Sequence, residues 1–201
     1  MAKKENLQNS RPHNHGRHSL KYKICISGAA ETGHCAPNAD KKAELMGRLI
    51  AERGCVLVTG ATVGIPYCAA KGAKEAGGIV IGLSPAASEV AHLKTYQLPI
   101  DYHDLIIYTG FGYSGRNLLL TRASDAVITI CGRMGTLNEF TIAYEDQKPT
   151  GVLTETGGMS DALEDIIKIG RRGAGNSVFE SDPEKLLDAV IAMVVARSKS
   201  R

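Results

Sequence analysis

The chain of 201 residues contains no tryptophan, and aromatic residues make up only 5% of it. Proteins that hold single-stranded nucleic acid stack bases on aromatic rings, so this scarcity argues against such a binder. Long apolar runs are missing too. The longest, residues 189–196, spans eight residues, against about 20 for a membrane-crossing helix. The glycine-rich turns at 28–33, 59–64 and 131–136 match neither GxGxxG nor GxxxxGK[ST], which weighs against an ordinary dinucleotide dehydrogenase and a P-loop nucleotidase. The five cysteines (Cys25, Cys35, Cys55, Cys68, Cys131) are odd in number and never form CxxC. The N-terminus is polar, with no signal-peptide pattern, so they read as thiols of a cytoplasmic, reduced protein. His34 and Cys35 are the one close mixed pair, short of the ligand set zinc needs, so neither metal nor cofactor is expected.

What the chain has is glycine, 22 residues, with 43% hydrophobic and 22% charged residues, the balance of a soluble globular domain. The net charge of +3 hides an asymmetry. The first 23 residues carry six basic groups against Glu5, and the last five carry Arg197, Lys199 and Arg201. That leaves 15 basic and 20 acidic groups in residues 24–196, a balance of −5. An acidic body offers no broad basic face for nucleic acid. Residues 1–20, with His13, His15 and His18, read as a disordered tail, and residues 21–197 as a single domain.

Within that domain apolar runs alternate with helical patterns. Strands are expected at 24–27, 56–59, 79–83, 105–108, 126–130, 150–153 and 177–179. Helices are expected at 40–53, 65–76, 115–124, 136–146 and 159–169, with a last one opening near Pro183. Residues 86–103 read as loop with a short helix. Continuous apolar strands are the mark of a sheet buried on both faces. The expected fold is therefore α/β, a doubly wound, mostly parallel Rossmann-like sheet of six or seven strands.

Ligands of such folds lie beyond the carboxyl ends of the strands. Three glycine-rich turns fall there: 28–33 from Gly28, 59–64 with Gly60 and Gly64, and 131–136 with Gly132, Arg133, Gly135 and Thr136. Any tight strand-to-helix turn uses glycine, but three at one sheet edge suit a phosphate held on helix N-termini. Thr136-x-x-Glu139 has the spacing of a capping box, which would leave Glu139 a purely structural task. Arg116 and Arg122, on the helix before the fifth strand, are either surface ion-pair formers or oxyanion ligands.

Residues 115–139 resemble the Lonely Guy (LOG) family and the wider set of Rossmann-like nucleotide-binding proteins. That family carries PGGxGTxxE, preceded by an arginine on the helix before the fifth strand. Here the motif reads Cys131-Gly132-Arg133-Met134-Gly135-Thr136-Leu137-Asn138-Glu139, with Arg116 and Arg122 upstream. The turn from Gly60 to Gly64 is similar to the family's GGxxGLM. Cysteine replaces the motif's proline, and Arg133 its second glycine. These departures resemble bacterial relatives similar to molybdenum-cofactor carrier proteins.

The resemblance implies a nucleoside 5′-monophosphate phosphoribohydrolase that frees base and ribose 5-phosphate. Glu139 and Arg116 would be catalytic, and Gly28, Gly60, Gly64, Arg122, Gly132, Arg133, Gly135 and Thr136 would bind substrate. The alternative is a non-catalytic carrier of a nucleotide or pterin cofactor. Single-stranded DNA binding, known for DNA-processing relatives, is a third and weaker reading. The family is dimeric, and a homodimer or dimer of dimers is expected. Helix 65–76, with its small residues Cys68, Ala69, Ala70, Gly72 and Ala73, is the candidate contact.

Overall fold

In a computed structural model, which describes residues 20–199, each apolar run forms a strand and all seven join one sheet. The strands are β1 (Lys23–Gly28), β2 (Val56–Thr59), β3 (Ile79–Ser84), β4 (Leu105–Tyr108), β5 (Ala126–Ile130), β6 (Thr150–Leu153) and β7 (Ser177–Glu180). Their order is β4-β3-β2-β1-β5-β6-β7, and every neighbouring pair is parallel. Every residue of β2, β5 and β6 is buried. The chain is thus a Rossmann-like α/β protein of the doubly wound type. The tail, with His13, His15 and His18, lies outside the described residues.

Six α-helices cover the sheet: α1 (Ala39–Glu52), α2 (Ile65–Glu75), α3 (Gly112–Ala123), α4 (Met134–Glu145), α5 (Gly158–Gly170) and α6 (Pro183–Lys199). Helices α1, α2 and α6 pack on one face and α3, α4 and α5 on the other. Residues 86–103 hold a short π-helical turn, Ala91–Thr95. Helix α6 is capped by Asp182, whose Oδ1 accepts the backbone N–H groups of Glu184 and Lys185. None of the described helices is long and apolar enough to cross a membrane.

The small residues of α2 are not free for a partner. A Cβ on Gly47 of α1 would lie 1.9 Å from the Ala69 carbonyl oxygen, and one on Gly72 1.9 Å from that of Glu44. Ala69, Ala70 and Ala73 are fully buried, and Cys68 packs against the same core. These residues let α1 and α2 cross backbone to backbone inside one chain, so the expectation that they form the dimer contact is corrected.

The order reverses between β1 and β5, where one connection leads away on each side. At such a switch point the loops part and leave a crevice beyond the strand ends. Register sets Gly28 beside Ile130, so the turns after β1 and β5 leave the sheet together.

Candidate functional site

The crevice at the switch point is a cleft of about 240 Å³, lined by the end of β1, the turns after β1, β2 and β5, and residues of α2, α3 and α4. Arg116 of α3 and Glu139 of α4 both line it, and both are buried. Arg116 Nη1 donates to Glu139 Oε1 at 3.4 Å, and the Ser27 hydroxyl donates to Oε2. Asn117, in the amide orientation that suits its neighbours, donates to Glu139 Oε1 at 2.8 Å and to the Tyr113 carbonyl at 3.0 Å. Arg116 Nε is buried without a partner among the described residues. A donor so placed needs an acceptor from solvent or ligand.

Burial lifts the Glu139 carboxyl above its ordinary range, outweighing the Arg116 charge and the Ser27 hydrogen bond, which act the other way. The guanidinium of Arg116 lies over Gly60, where a Cβ would come within 2.0 Å of Nη1. Glycine at 60 is therefore a condition for Arg116 to lie where it does.

The capping-box reading of Thr136 and Glu139 does not hold. Helix α4 starts at Met134, with Arg133 at the N-cap and no side chain capping it. Thr136 is already inside the helix, and Glu139 turns inward to Ser27 and Arg116. Cys131 and Gly132 make the preceding turn with φ of +55° and +97°. Proline, fixed near −65°, cannot take that backbone. The cysteine here is thus no simple exchange for the family's proline.

Of the residues expected from sequence, Gly28, Gly60, Arg116, Arg133, Gly135, Thr136 and Glu139 line one cleft. Gly64 and Gly132 shape turns behind it. A Cβ at Gly64 would meet the Ala29 carbonyl oxygen, and one at Gly132 the Thr136 side chain. Arg122 is not with them. It sits at the far end of α3 and is paired to Asp146 at 3.0 Å on an exposed surface. Nearly three helical turns separate it from the start of α3, and it does not line the cleft.

Sequence reasoning missed Ser27 and Asn117, which fix the carboxylate. Ser27 is the next-to-last residue of β1, and a polar residue there is the one signal that could have marked it. It missed the rim as well. Cys35 and Cys131 form a disulfide, across 96 positions of sequence. The expectation of five thiols in a reduced protein is corrected on that point; Cys25, Cys55 and Cys68 take no part in a disulfide. Beside the disulfide, Arg133 Nη1 pairs with Glu31 at 2.7 Å, and Arg133 Nε donates to His34 Nδ1 at 3.3 Å. Disulfide and ion pair together tie the loop after β1 to the turn after β5, and Glu31 and Arg133 form part of the cleft wall.

Known proteins are similar to this chain in sequence or in fold. An uncharacterized protein of Archaeoglobus fulgidus is 33% identical over 126 residues, covering 63% of this chain and 78% of that one. The molybdenum cofactor binding protein of Rippkaea orientalis is 30% identical, with a TM-score of 0.70 over 88% of this chain and 99% of that one. The molybdenum cofactor carrier protein of Chlamydomonas reinhardtii is 28% identical, with a TM-score of 0.69 over 88% and 99%. The model of the SLOG cluster4 family, a grouping whose relatives include the LOG proteins, matches residues 21–187, and the chain belongs to that family.

Proposed function

We propose that the protein binds a small phosphorylated ligand of the nucleotide or pterin-cofactor class in the cleft between β1 and β5. The observation that carries this is Arg116. A guanidinium buried beside the uncapped start of α4, with its Nε unpartnered, is built for an oxyanion. The phosphate would meet the first backbone N–H groups of α4, near Gly135 and Thr136, with Arg133 at the edge. Two relatives are named for molybdenum cofactor, whose pterin carries a phosphate, and this favours holding and delivering a ligand over turning it over.

A second reading rests on Glu139. Hydrolysis of an N-glycosidic bond passes through an oxocarbenium-like state, and a carboxylate beside the sugar stabilises it. Arg116, Ser27 and Asn117 hold Glu139 in one orientation, as such a carboxylate requires. One experiment separates the readings. The purified protein is incubated with nucleoside 5′-monophosphates and with a phosphorylated pterin, and both bound ligand and free base are measured. Binding without base release supports the carrier. Release of base and ribose 5-phosphate supports the hydrolase.

The proposal extends to assembly. Leu105 and Ile107 of edge strand β4 pair in register with Ile81 and Leu83, so they face the α3 side of the sheet. They are exposed, as are Phe111, Leu118 and Leu119 around α3. A second copy covering this face would remove from water an apolar patch and an open sheet edge together.

A further inference from the structure

His34, Cys35 and Cys131 form a cluster outside the phosphate-binding machinery. One ligand atom from each lies within 4.8 Å of the others. His34 Nε2 is 3.6 Å from Cys131 Sγ. Each cysteine sits on a fixed backbone. The N–H of Cys131 donates to Thr156 Oγ1 at 2.9 Å, and its carbonyl accepts from the Ser160 N–H at 2.8 Å. Cys35 forms a bridge to Gly157, and its N–H donates to the Thr32 carbonyl. Their Cα atoms are 5.6 Å apart, close enough for both sulfurs to share one ion at about 2.3 Å from each. His34 is exposed and Cys131 buried, so the cluster opens to solvent on the histidine side.

We infer that reduction of the Cys35–Cys131 disulfide turns this corner into a binding site for a thiophilic divalent cation of the zinc class. The ion is held by the two thiolates and His34 Nε2. A dithiol reductant gives up two electrons and two protons, becomes a disulfide itself, and leaves two thiols. The cation then displaces one proton from each thiol. Three protein ligands leave one tetrahedral position for water or for a donor atom of a ligand. In the disulfide form, Arg133 Nε donates to His34 Nδ1, and Nε2 faces the Gly132 carbonyl at 3.2 Å. Nε2 therefore carries the ring proton there. Binding an ion at Nε2 moves that proton to Nδ1 and detaches Arg133 from the histidine. Cation binding thereby acts on a residue of the cleft wall.

The test is titration with Co²⁺, then displacement by Zn²⁺, of the full chain in two states. One is reduced by a water-soluble phosphine, which takes the oxygen of water as it opens the disulfide and does not supply a thiol ligand. The other is left oxidised. The reduced protein should take up one Co²⁺ per chain, with sulfur-to-cobalt charge-transfer bands, and the oxidised protein should lack those bands. Cys35→Ser and Cys131→Ser should each abolish the bands. His34→Ala, a change at an exposed side chain that leaves the core intact, should weaken uptake by about tenfold or more. Reduced protein without charge-transfer bands would overturn the inference. So would bands that survive Cys131→Ser, because the ion would then sit elsewhere.

Discussion

Glu139 is a carboxylate placed where a neutral acid would be at less cost. Its folded-state affinity for a proton is raised by burial, so between its ordinary value of 4.5 and the raised one the folded chain keeps a proton that the unfolded chain gives up. Stability contributed by the neutral form is full below the ordinary value and is lost as pH rises through the raised one. Glu139→Gln removes this titration. Its melting temperature should gain on the wild type as pH rises from about 4 to about 8, and parallel curves would contradict the account. If the protein is a hydrolase, the same variant should lose at least about 100-fold in turnover while still binding nucleotide. Gly60→Ala tests the pair from the other side. Its Cβ would come within 2.0 Å of Arg116 Nη1, so calorimetry should find the phosphate ligand weakened by about tenfold or more in a protein that still folds. The PGGxGTxxE-like motif and the arginine upstream of it pointed to Arg116, Gly135, Thr136 and Glu139, which all line the cleft. It could not tell a capping Glu139 from an inward one, because that depends on where α4 begins. Nor could it place Arg122, whose fate is decided by Asp146 on another element.

Among the elements, the strands were legible to within a residue or two because sheets buried on both faces need unbroken apolar runs. Helix starts were less so. Helix α3 begins at Gly112 rather than 115, and α4 at Met134 rather than 136, since no side chain caps either one. The α1–α2 crossing is where the small-residue pattern was misassigned. A stripe of small residues reports close approach, and its partner here is the same chain. Gly47→Ala and Gly72→Ala each push a Cβ onto a helix carbonyl. Alanine suits a helix better than glycine by about 1 kcal/mol. Even so, each variant should lose about 1–3 kcal/mol in urea unfolding, because the overlap is with backbone that cannot swing aside. Unchanged midpoints would mean that the helices can part without cost.

For the whole molecule, the sheet and its switch point were legible from the alternation of runs, while long-range pairings were not. Cys35 and Cys131 are 96 positions apart, and only the convergence of the turns after β1 and β5 brings them together. The second-copy proposal is checked by light scattering. A species of twice the 21.4 kDa chain mass is expected. Leu119→Glu, at an exposed site on α3, should reduce it to the single chain; a wild-type protein that is already single would contradict it. The central claim is that Arg116 and the start of α4 form a cradle for phosphate. Calorimetric titration of the full chain with a nucleoside 5′-monophosphate, its nucleoside and a phosphorylated pterin tests it most directly, with Arg116→Ala alongside. The account predicts one site per chain for a phosphorylated ligand. It predicts a preference of about tenfold or more over the bare nucleoside, lost in Arg116→Ala. Equal affinity with and without the phosphate, or an Arg116→Ala protein that binds as the wild type does, would contradict it.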